Sequence, residues 1–477
     1  MCRKKLGKAA VVVVVAVVLS MGTAAWGASP SELLEKAIHA EETAGNIDEA
    51  IKLYEQVIIE GKAARNAAAQ AEYRLAQCLL KKNKPAEANA ELEKLIKEFP
   101  EEKELVAKAR KQLPSEIKLL PAPWQDHEAQ QLNLKLASGL DIGTYVYRVD
   151  SERHEGKEAW RCRTRSFVPL NGMQSSSTVL AEKESFAPIS SRWMISLLGN
   201  VEAVYKPQVV VVKDLLKKTE HEIALDGPVF DNEQAAELFR RLPLAVGYKT
   251  TVPIVSTLTS KIPLGLEVTG KETLEVPAGK FECFKVALNI GQTFYISTDE
   301  HRYAVKFEAG GAIGELTHTY QLEPGKPLKF DGRGFSLTLS EGWFAYAPMP
   351  VKKDDPEKAF LLDSDGAATA WIVAKSPKAE EKGKSIKQRI EAEIGEVKPT
   401  LKDFHVRADG VKQRTVADKP AFSVVADYTD GDKKMVMYGA NVLGDKLELQ
   451  FVAMIAADRF EAFLPEFDKL VESLQLK

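Results

Sequence analysis

The sequence of 477 residues predicts a multidomain α + β protein with three folded parts. The first is a short α-helical repeat module. The second is a curled, half-barrel-like antiparallel β-sheet domain, and the third is an α + β domain in which helices pack on an antiparallel sheet. Three observations predict this order. A helical pattern occurs twice near the N-terminus, apolar and polar residues alternate through the middle of the chain, and the last third joins alternating strands to two amphipathic helices.

The composition is that of a globular protein with nearly balanced charge. Hydrophobic residues make up 45% of the chain and charged residues 28%, and 65 Lys and Arg against 68 Asp and Glu give a net charge of −3. A dedicated nucleic-acid binder needs a basic surface, so we expect no nucleic-acid partner. The same balance excludes a disordered polyelectrolyte. With only four cysteines, a disulfide-dense scaffold is excluded as well.

The N-terminal residues 1–27 have the three features of a secretory signal peptide. A basic stretch at residues 3–8 precedes the apolar run 9–19, and small residues at 25 and 27 permit cleavage before Ala28. This pattern predicts export to the periplasm or the extracellular space. The alternative is an uncleaved anchor formed by residues 9–28. After cleavage we expect a protein that is not integral to the membrane.

The first module, residues 29–113, contains an internal repeat. Residues 46–58 recur as residues 84–96, and the small residues Ala50 and Ala88 occupy equivalent places. Small residues at such positions allow paired helices to approach closely. The repeat therefore predicts two stacked helical pairs, and each pair alone would leave an apolar face uncovered.

The repeated segments resemble the tetratricopeptide repeat, with Tyr54 and Leu92 at its large apolar position and residues 102–112 forming a helix that covers the open end. The resemblance implies a protein partner bound along the first helix of each pair. The alternative is a solvated helix face or a face docked on the next module. The matching positions of the groove are Glu35, His39, Glu42, Tyr73, Gln77 and Lys81.

The second module follows a linker at residues 114–127 and extends over residues 128–323. Apolar and polar residues alternate clearly in residues 264–275, as in a strand with one covered face. Residues 231–241 predict the one convincing helix of this module, with Asp231 as its N-cap.

The most distinctive stretch of this module is residues 273–286, where a Pro277-Ala278-Gly279 turn separates two strands, followed by a strand and charged turn in residues 293–306. These segments resemble a family of exported bacterial β-rich domains of unknown function. The resemblance implies a curled antiparallel sheet and supplies no catalytic residue.

A curled sheet with an apolar concave face could hold a lipid or another apolar small molecule. Leu316, His318 and Tyr320 share one face of a predicted strand and form the candidate ligand face, although a lone histidine there is more often a core or rim residue. Cys162 and Cys283 are candidates for a disulfide bridge; the alternative is two separately packed thiols.

The third module extends over residues 335–477, after a second linker at residues 324–334. It opens with a strand from Phe335 that ends in a corner at Trp343, and it closes with a helix that includes residues 463–474. This order resembles the PsbP-like fold. The resemblance implies a non-catalytic binding or assembly module.

The sequence contains no motif for hydrolysis, redox chemistry or metal binding. His-Glu-x-x-His, Gly-x-Ser-x-Gly and Cys-x-x-Cys patterns are absent from it, and the seven histidines are scattered singly. We therefore predict no catalytic residue, no cofactor and no metal ligand. The sequence favours an exported, non-enzymatic binding or assembly protein of the bacterial envelope. The alternatives are a carrier of a lipid or other apolar ligand in the middle domain, and an enzyme with an unrecognised site.

Overall fold

The computed structural model describes residues 29–61, 64–82, 84–112, 117–195, 199–225, 227–257, 260–349, 355–363, 365–366, 368–381 and 383–477. The chain divides into two compact units, residues 1–113 and 114–477. The predicted signal segment lies outside the described residues. Among the described helices, none has both the length and the apolar character needed to cross a membrane.

The first unit is helical, as the repeat pattern predicts. Ser29 begins it with a capping box, in which its hydroxyl accepts from the backbone of Glu32 and the Glu32 carboxylate accepts from the backbone of Ser29. The repeated small residues Ala50 and Ala88 are fully buried between the helices. The helices are α1 Pro30–Ile38 with a π-helical turn His39–Thr43, α2 Ile47–Glu60, α3 Arg65–Lys81, α4 Pro85–Glu98 and α5 Lys103–Gln112.

The second unit begins with a large open sheet of 15 strands in the described residues. Its strands are β1 Glu128–Leu136, β2 Asp141–His154, β3 Lys157–Val168, β4 Met173–Glu182, β5 Pro188–Ile195, β6 Gly199–Lys206, β7 Val209–Asp214, β8 Thr219–Ala224, β9 Phe230–Asp231, β10 Lys249–Ser256, β11 Ser260–Val276, β12 Gly279–Leu288, β13 Thr293–Ser297, β14 Ala304–Ala309 and β15 Ala312–Gln321. The spatial order is β8 to β1 consecutively and then β15 to β9, because β1 pairs with both β2 and β15. Every pairing is antiparallel except the short one between β9 and β10.

The sheet is curled and is not a closed barrel. Cys162 and Val179 from one half of the sheet share a single apolar cluster with Val268 and Val286 from the other half. Residues so far apart in the strand order can meet only if the two halves bend toward each other. The curled antiparallel sheet predicted from the alternating strands is therefore confirmed.

A short helical segment lies in the concave side of the curl. It begins with a 3₁₀ turn, Asn232–Gln234, and continues as α6, Ala235–Arg241. Asp231 caps the first turn with its side chain, as predicted, but that turn is 3₁₀ and not α-helical. Leu238 and Phe239 are fully buried in the same cluster as both halves of the sheet.

The rest of the second unit contains two smaller sheets with packed helices. The strands are β16 Leu328–Asp331, β17 Phe335–Leu339, β18 Trp343–Tyr346, β19 Glu357–Asp363, β20 Thr369–Lys375, β21 Lys402–Val416, β22 Lys419–Asp430, β23 Lys433–Leu443, β24 Glu448–Ala456 and β25 Gln475–Leu476, and the helices are α7 Ile386–Val397 and α8 Phe460–Glu472. The sheet orders are β16-β17-β25 and β18-β19-β20-β24-β23-β22-β21. Phe467 of α8 packs against Trp343, Tyr438 and Phe451.

The predicted linker at residues 324–334 is not free of secondary structure. It contains β16, which pairs with β17. Across this segment, Gln131 Nε2 of β1 donates to the carbonyl of Ala345 at 2.9 Å, and the Tyr346 hydroxyl donates to Asp141 at 2.5 Å. The large sheet and the C-terminal sheets are thus joined by side chains that the sequence places in different modules.

Candidate ligand-binding cavity

A cavity of about 250 Å³ lies within the curl of the large sheet, beside α6. Both halves of the sheet and the helix contribute to its wall, and most of the contributing side chains are aromatic or aliphatic. The lining residues are Tyr145, Tyr147, Asn232, Glu233, Ala235, Ala236, Phe239, Ile254, Ile262, Leu264, Leu288, Ile290, Gln292, Phe294, Phe307 and Ala309.

Aromatic rings form much of the cavity wall. The ring of Tyr145 lies 4.8 Å from that of Tyr147 and 6.0 Å from that of Phe307, between centroids. Phe294 joins this group, with its centroid 5.8 Å from Phe307 and 5.2 Å from Phe239. Such offset and edge contacts hold the rings in fixed orientations. Much of the wall is therefore a continuous aromatic surface.

Gly314 of β15 makes room for one of these rings. A Cβ atom at this position would lie 2.3 Å from a ring carbon of Phe307, closer than side chains can approach. The absent side chain allows the Phe307 ring to lie across β15 and still reach the cavity.

Two acidic side chains of the helical segment lie at the cavity or next to it. Glu233 lines the cavity, and its Oε1 accepts from Asn232 Nδ2 at 2.9 Å. Burial and the neighbouring Asp231 carboxylate raise the pKa of Glu233 to about 7. Glu237, one turn further, is only 1% exposed, and burial raises its pKa to about 7. Its Oε2 atom is buried without a hydrogen-bond partner.

The charged group that lines the cavity is acidic. Burial raises the pKa of the Tyr145 hydroxyl, and the nearby Glu233 and Glu237 carboxylates add to the effect. Among the described residues that line the cavity, none is Lys, Arg or His. The cavity therefore combines apolar and aromatic walls with an acidic group and no compensating cation. Sequence reasoning missed this site; the available signal was two glutamates, 233 and 237, on the one helix of the β domain.

Arg240 fixes α6 on the side away from the cavity. Its Nη2 donates to Glu128 Oε1 at 2.7 Å and to the carbonyl of His301 at 2.9 Å, and its Nε donates to the carbonyl of Arg302 at 2.9 Å. Arg302 in turn donates to the carbonyl of Leu242 at 2.5 Å. The charged turn at residues 299–302 thus anchors the helix.

The predicted ligand face of Leu316, His318 and Tyr320 is not a single face. A β-bulge interrupts the β1–β15 register between the pairs Leu132–Leu316 and Gln131–His318. Leu316 is fully buried in a core cluster, whereas His318 is exposed and stacks on Tyr320 with ring centroids 5.6 Å apart. The bulge adds a residue and so reverses the alternation on which the prediction depended. None of the three lines the cavity within the curl.

His318 and Tyr320 instead line a different cleft, of about 720 Å³, between the large sheet and the segment that contains β16 and β18. The Tyr320 hydroxyl donates to Gln131 Oε1 at 2.9 Å, and its ring packs on Phe344. Partial desolvation of its ring in this cleft lowers the pKa of His318. These contacts give Tyr320 a structural role between the sheets.

The predicted protein-binding groove is partly covered within the helical unit. Tyr73 accepts from Gln112 Nε2 at 2.8 Å, and Gln77 donates to Gln112 Oε1 at 2.5 Å. Helix α5 therefore lies over the part of the groove that α3 supplies. Glu35 and His39 at the other side are exposed.

The two remaining groove residues belong to an ion network between α3 and the π-helical turn that follows α1. Lys81 Nζ lies 2.8 Å from Glu41 Oε1, and Arg74 Nη1 lies 2.7 Å from Glu42 Oε1. Burial acts to raise the pKa of Glu41, but hydrogen bonds from Lys81, Tyr54 and Arg74 outweigh it and lower that pKa. Glu42 and Lys81 thus hold neighbouring helices together.

The disulfide candidates are not brought together. Cys162 and Cys283 are both buried free thiols, and they lie in different apolar clusters. Burial raises the pKa of both thiols, which makes them unreactive as nucleophiles.

One cluster with metal-ligand chemistry occurs in the described residues: Asp126, His127 and Asp150, whose ligand atoms lie within 4.8 Å of one another. Asp150 is already paired with Arg148 at 2.8 Å and with Arg163 at 2.7 Å. Two guanidinium groups balance its charge, so the cluster fits an ion network better than a metal site.

Comparisons with known proteins match two parts of the chain. Residues 43–113 match the family model described as tetratricopeptide repeat, and residues 131–321 match the model described as a protein of unknown function (DUF3108). These matches agree with the repeats and with the domain of unknown function expected from the sequence. No curated protein matches the chain.

Several solved structures have a weak likeness to the chain. They include PsbP from Synechocystis sp. PCC 6803 (10% identity, 32% of this chain and 93% of that one, TM-score 0.25) and LpqN, involved in cell envelope biogenesis of Mycobacterium tuberculosis (15%, 32% and 86%, 0.21). The immunity protein TplEi of Pseudomonas aeruginosa is similar at 9% identity over 45% of this chain and 93% of that one, with a TM-score of 0.20. Likeness at these scores does not confirm the PsbP-like assignment of residues 335–477.

Proposed function

We propose that the chain is a non-enzymatic binding and assembly protein of the bacterial cell envelope, in which the helical repeats contact a protein partner. The observation that carries this proposal is the match of residues 43–113 to the tetratricopeptide repeat, a module that serves protein–protein contact. The N-terminal residues 1–27, with their signal-peptide pattern, support export.

The partner surface in this proposal is the exposed face formed by Glu35 of α1 and His39 of the π-helical turn that follows it. The α3 positions of the groove are bonded to α5, so they are less accessible to a partner. An extended peptide or helix would therefore contact α1 first.

Site-specific crosslinking of the full chain tests this surface. A photoreactive phenylalanine replaces His39 in one variant and the exposed Glu55 of α2 in a matched control. In envelope extract of the producing bacterium, we expect a discrete crosslinked protein from position 39 and none from position 55. Absence of a product at 39, or the same products at both positions, contradicts the proposal.

A second function is favoured by the cavity within the curled sheet: carriage of a small apolar molecule. Ligand sites are concave, mostly apolar and supplied with few polar groups, and the cavity beside α6 has this character. Its volume of about 250 Å³ suits a small molecule rather than an enclosed two-chain lipid.

Native mass spectrometry of the purified full chain tests the carrier function. We expect a small bound species in the wild type that is lost in Ala236→Leu, because the added carbons enter the cavity. Ala379→Leu, at an exposed position away from the cavity, is the control and should retain the species. Equal occupancy in both variants would show that the species binds elsewhere.

A further inference from the structure

The cavity within the curl opens to solvent at one side, where Ile290 is 51% exposed, and its volume limits only the part of a ligand that lies inside it. Its volume is about 250 Å³. An engineered apolar cavity of roughly 150 Å³ accommodates benzene. A single ring with an arm of about two carbon atoms is therefore the size of molecule that this cavity would hold.

The charge of the cavity limits the chemistry of that ligand. Glu233 is the one carboxylic acid among the described residues that line the cavity. Glu237, one turn further along the helical segment and outside the lining, has a buried oxygen without a hydrogen-bond partner. The described lining contains no basic side chain, so a ligand anion would be repelled and unpaired. A ligand cation would pair with the half-buried Glu233 carboxylate, which has no basic partner among the described lining residues.

The aromatic wall favours the same ligand. Tyr145, Tyr147 and Phe307 present ring surfaces to the cavity next to Glu233. Aromatic faces attract cations. The Glu233 carboxylate and the aromatic rings therefore both attract a positive group, and neither attracts a negative one.

We infer that the cavity binds a small aromatic or alkyl molecule that carries a protonated amine, with the amine paired to the Glu233 carboxylate. This inference rests on the second proposed function, carriage of a small apolar ligand.

Protonation of Glu233 gives the interaction a pH dependence. The groups that act on Glu233 are Asp231, which raises its pKa together with burial, and the side chains of Asn232 and Ser177, which lower it. Tyr145 and Tyr147 face it from β2 and stay neutral, because burial and the acidic groups raise their pKa values. Glu237 lies on the same helical segment and is influenced by Arg240. With a pKa of about 7, Glu233 ionises as the pH rises through neutrality, and amine binding should strengthen over that interval.

Calorimetric titration of the full chain with three probes of matched size tests the inference. The probes are 2-phenylethylamine, neutral 2-phenylethanol and anionic phenylacetate. At about pH 8 we expect the amine to bind about tenfold more tightly than the alcohol and the acid not to bind, since a paired buried charge is worth on the order of one factor of ten. Between about pH 5.5 and pH 8 the affinity for the amine should rise about tenfold, and that for the alcohol should not change.

Two variants assign the effect to the carboxylate. Glu233→Gln should lose most of the preference for the amine and its rise between about pH 5.5 and pH 8, and retained alcohol binding shows that the variant is folded. Glu222→Gln, at an exposed glutamate of β8, should behave as the wild type. If the alcohol binds as well as the amine, or the acid binds best, the amine inference is overturned and the carrier function stands. If no probe binds, both are overturned.

Discussion

At the scale of the residue, the charged side chains of α6 are all buried but differ in the hydrogen-bond partners that they have. Arg240 is 1% exposed, and its Nη2 and Nε are bonded to Glu128 and to two carbonyls, although its Nη1 is buried without a hydrogen-bond partner. Arg241 donates to the carbonyls of Leu120 and Glu184. Glu237 has no comparable set of donors for its second oxygen. The arginines therefore hold the helix in place, whereas Glu237 is destabilising when it is ionised.

This difference predicts a pH dependence of stability. Glu237 has an ordinary carboxylate pKa when unfolded and a pKa of about 7 when folded, so between these values the folded state binds more protons. The contribution of Glu237 to the free energy of unfolding is therefore most favourable at low pH and is lost as the pH rises toward 7. In Glu237→Gln the free energy of unfolding should exceed that of the wild type by about 3 kcal/mol at about pH 8 and by less than about 1 kcal/mol at about pH 5.

Urea unfolding followed by tryptophan fluorescence measures this effect, because Trp124 and Trp160 lie in the same apolar cluster as α6. Glu222→Gln on β8 is the control and should change stability equally little at both pH values. A stabilisation by Glu237→Gln that is the same at both pH values would contradict the ionisation argument.

At the scale of the element, strands with clear alternation could be predicted and strands with buried polar groups could not. The alternating residues 264–275 correspond to β11, Ser260–Val276. In contrast, β1 was not recognised, because Gln130 and Gln131 are buried in it. Their partners are the backbone of Ala304 and of Ala345, which are remote in sequence. The candidate ligand face failed for a related reason, since a β-bulge in β15 has no sequence signature here.

The packing of β14 on β15 gives a prediction at this scale. In Gly314→Ala the new methyl group would meet the ring of Phe307 at 2.3 Å, so the ring must turn toward the cavity. We expect a loss of about 1–3 kcal/mol in the free energy of unfolding, as for overpacked cores. Gly270→Ala in β11 is the matched control, because a methyl group added there would have no neighbouring atom within 4 Å. Equal losses in the two variants, measured by urea unfolding, would refute this account of Gly314.

At the scale of the whole molecule, the order of the three folded parts could be predicted from the sequence. The contacts between the large sheet and the C-terminal sheets could not. Repeats, alternation and a closing amphipathic helix predicted helices, then a curled sheet, then further sheet with helices, and this architecture is confirmed. The Pro- and Gly-rich residues 324–334 indicated a separation between the second and third parts. In the structure, Ala129 and Val146 of the large sheet share an apolar cluster with Phe344 of β18. Composition cannot reveal such a cluster, because its members are individually ordinary core residues.

Phe344 therefore should stabilise strands on both sides of the predicted linker. It is fully buried, and its removal leaves a cavity beside Ala129 of β1 and Val146 of β2. In Phe344→Ala we expect faster backbone hydrogen exchange in β1 and β2 of the full chain, measured by mass spectrometry, with a loss of about 3–5 kcal/mol typical of a truncated core phenylalanine. Phe404→Ala is the control, because Phe404 packs only within a cluster of the C-terminal sheet and its helix and should leave β1 and β2 unchanged. Unaltered exchange in β1 and β2 of Phe344→Ala would mean that the two sheets are stabilised independently. A similar acceleration of exchange in Phe404→Ala would mean that the coupling between the sheets does not pass through Phe344.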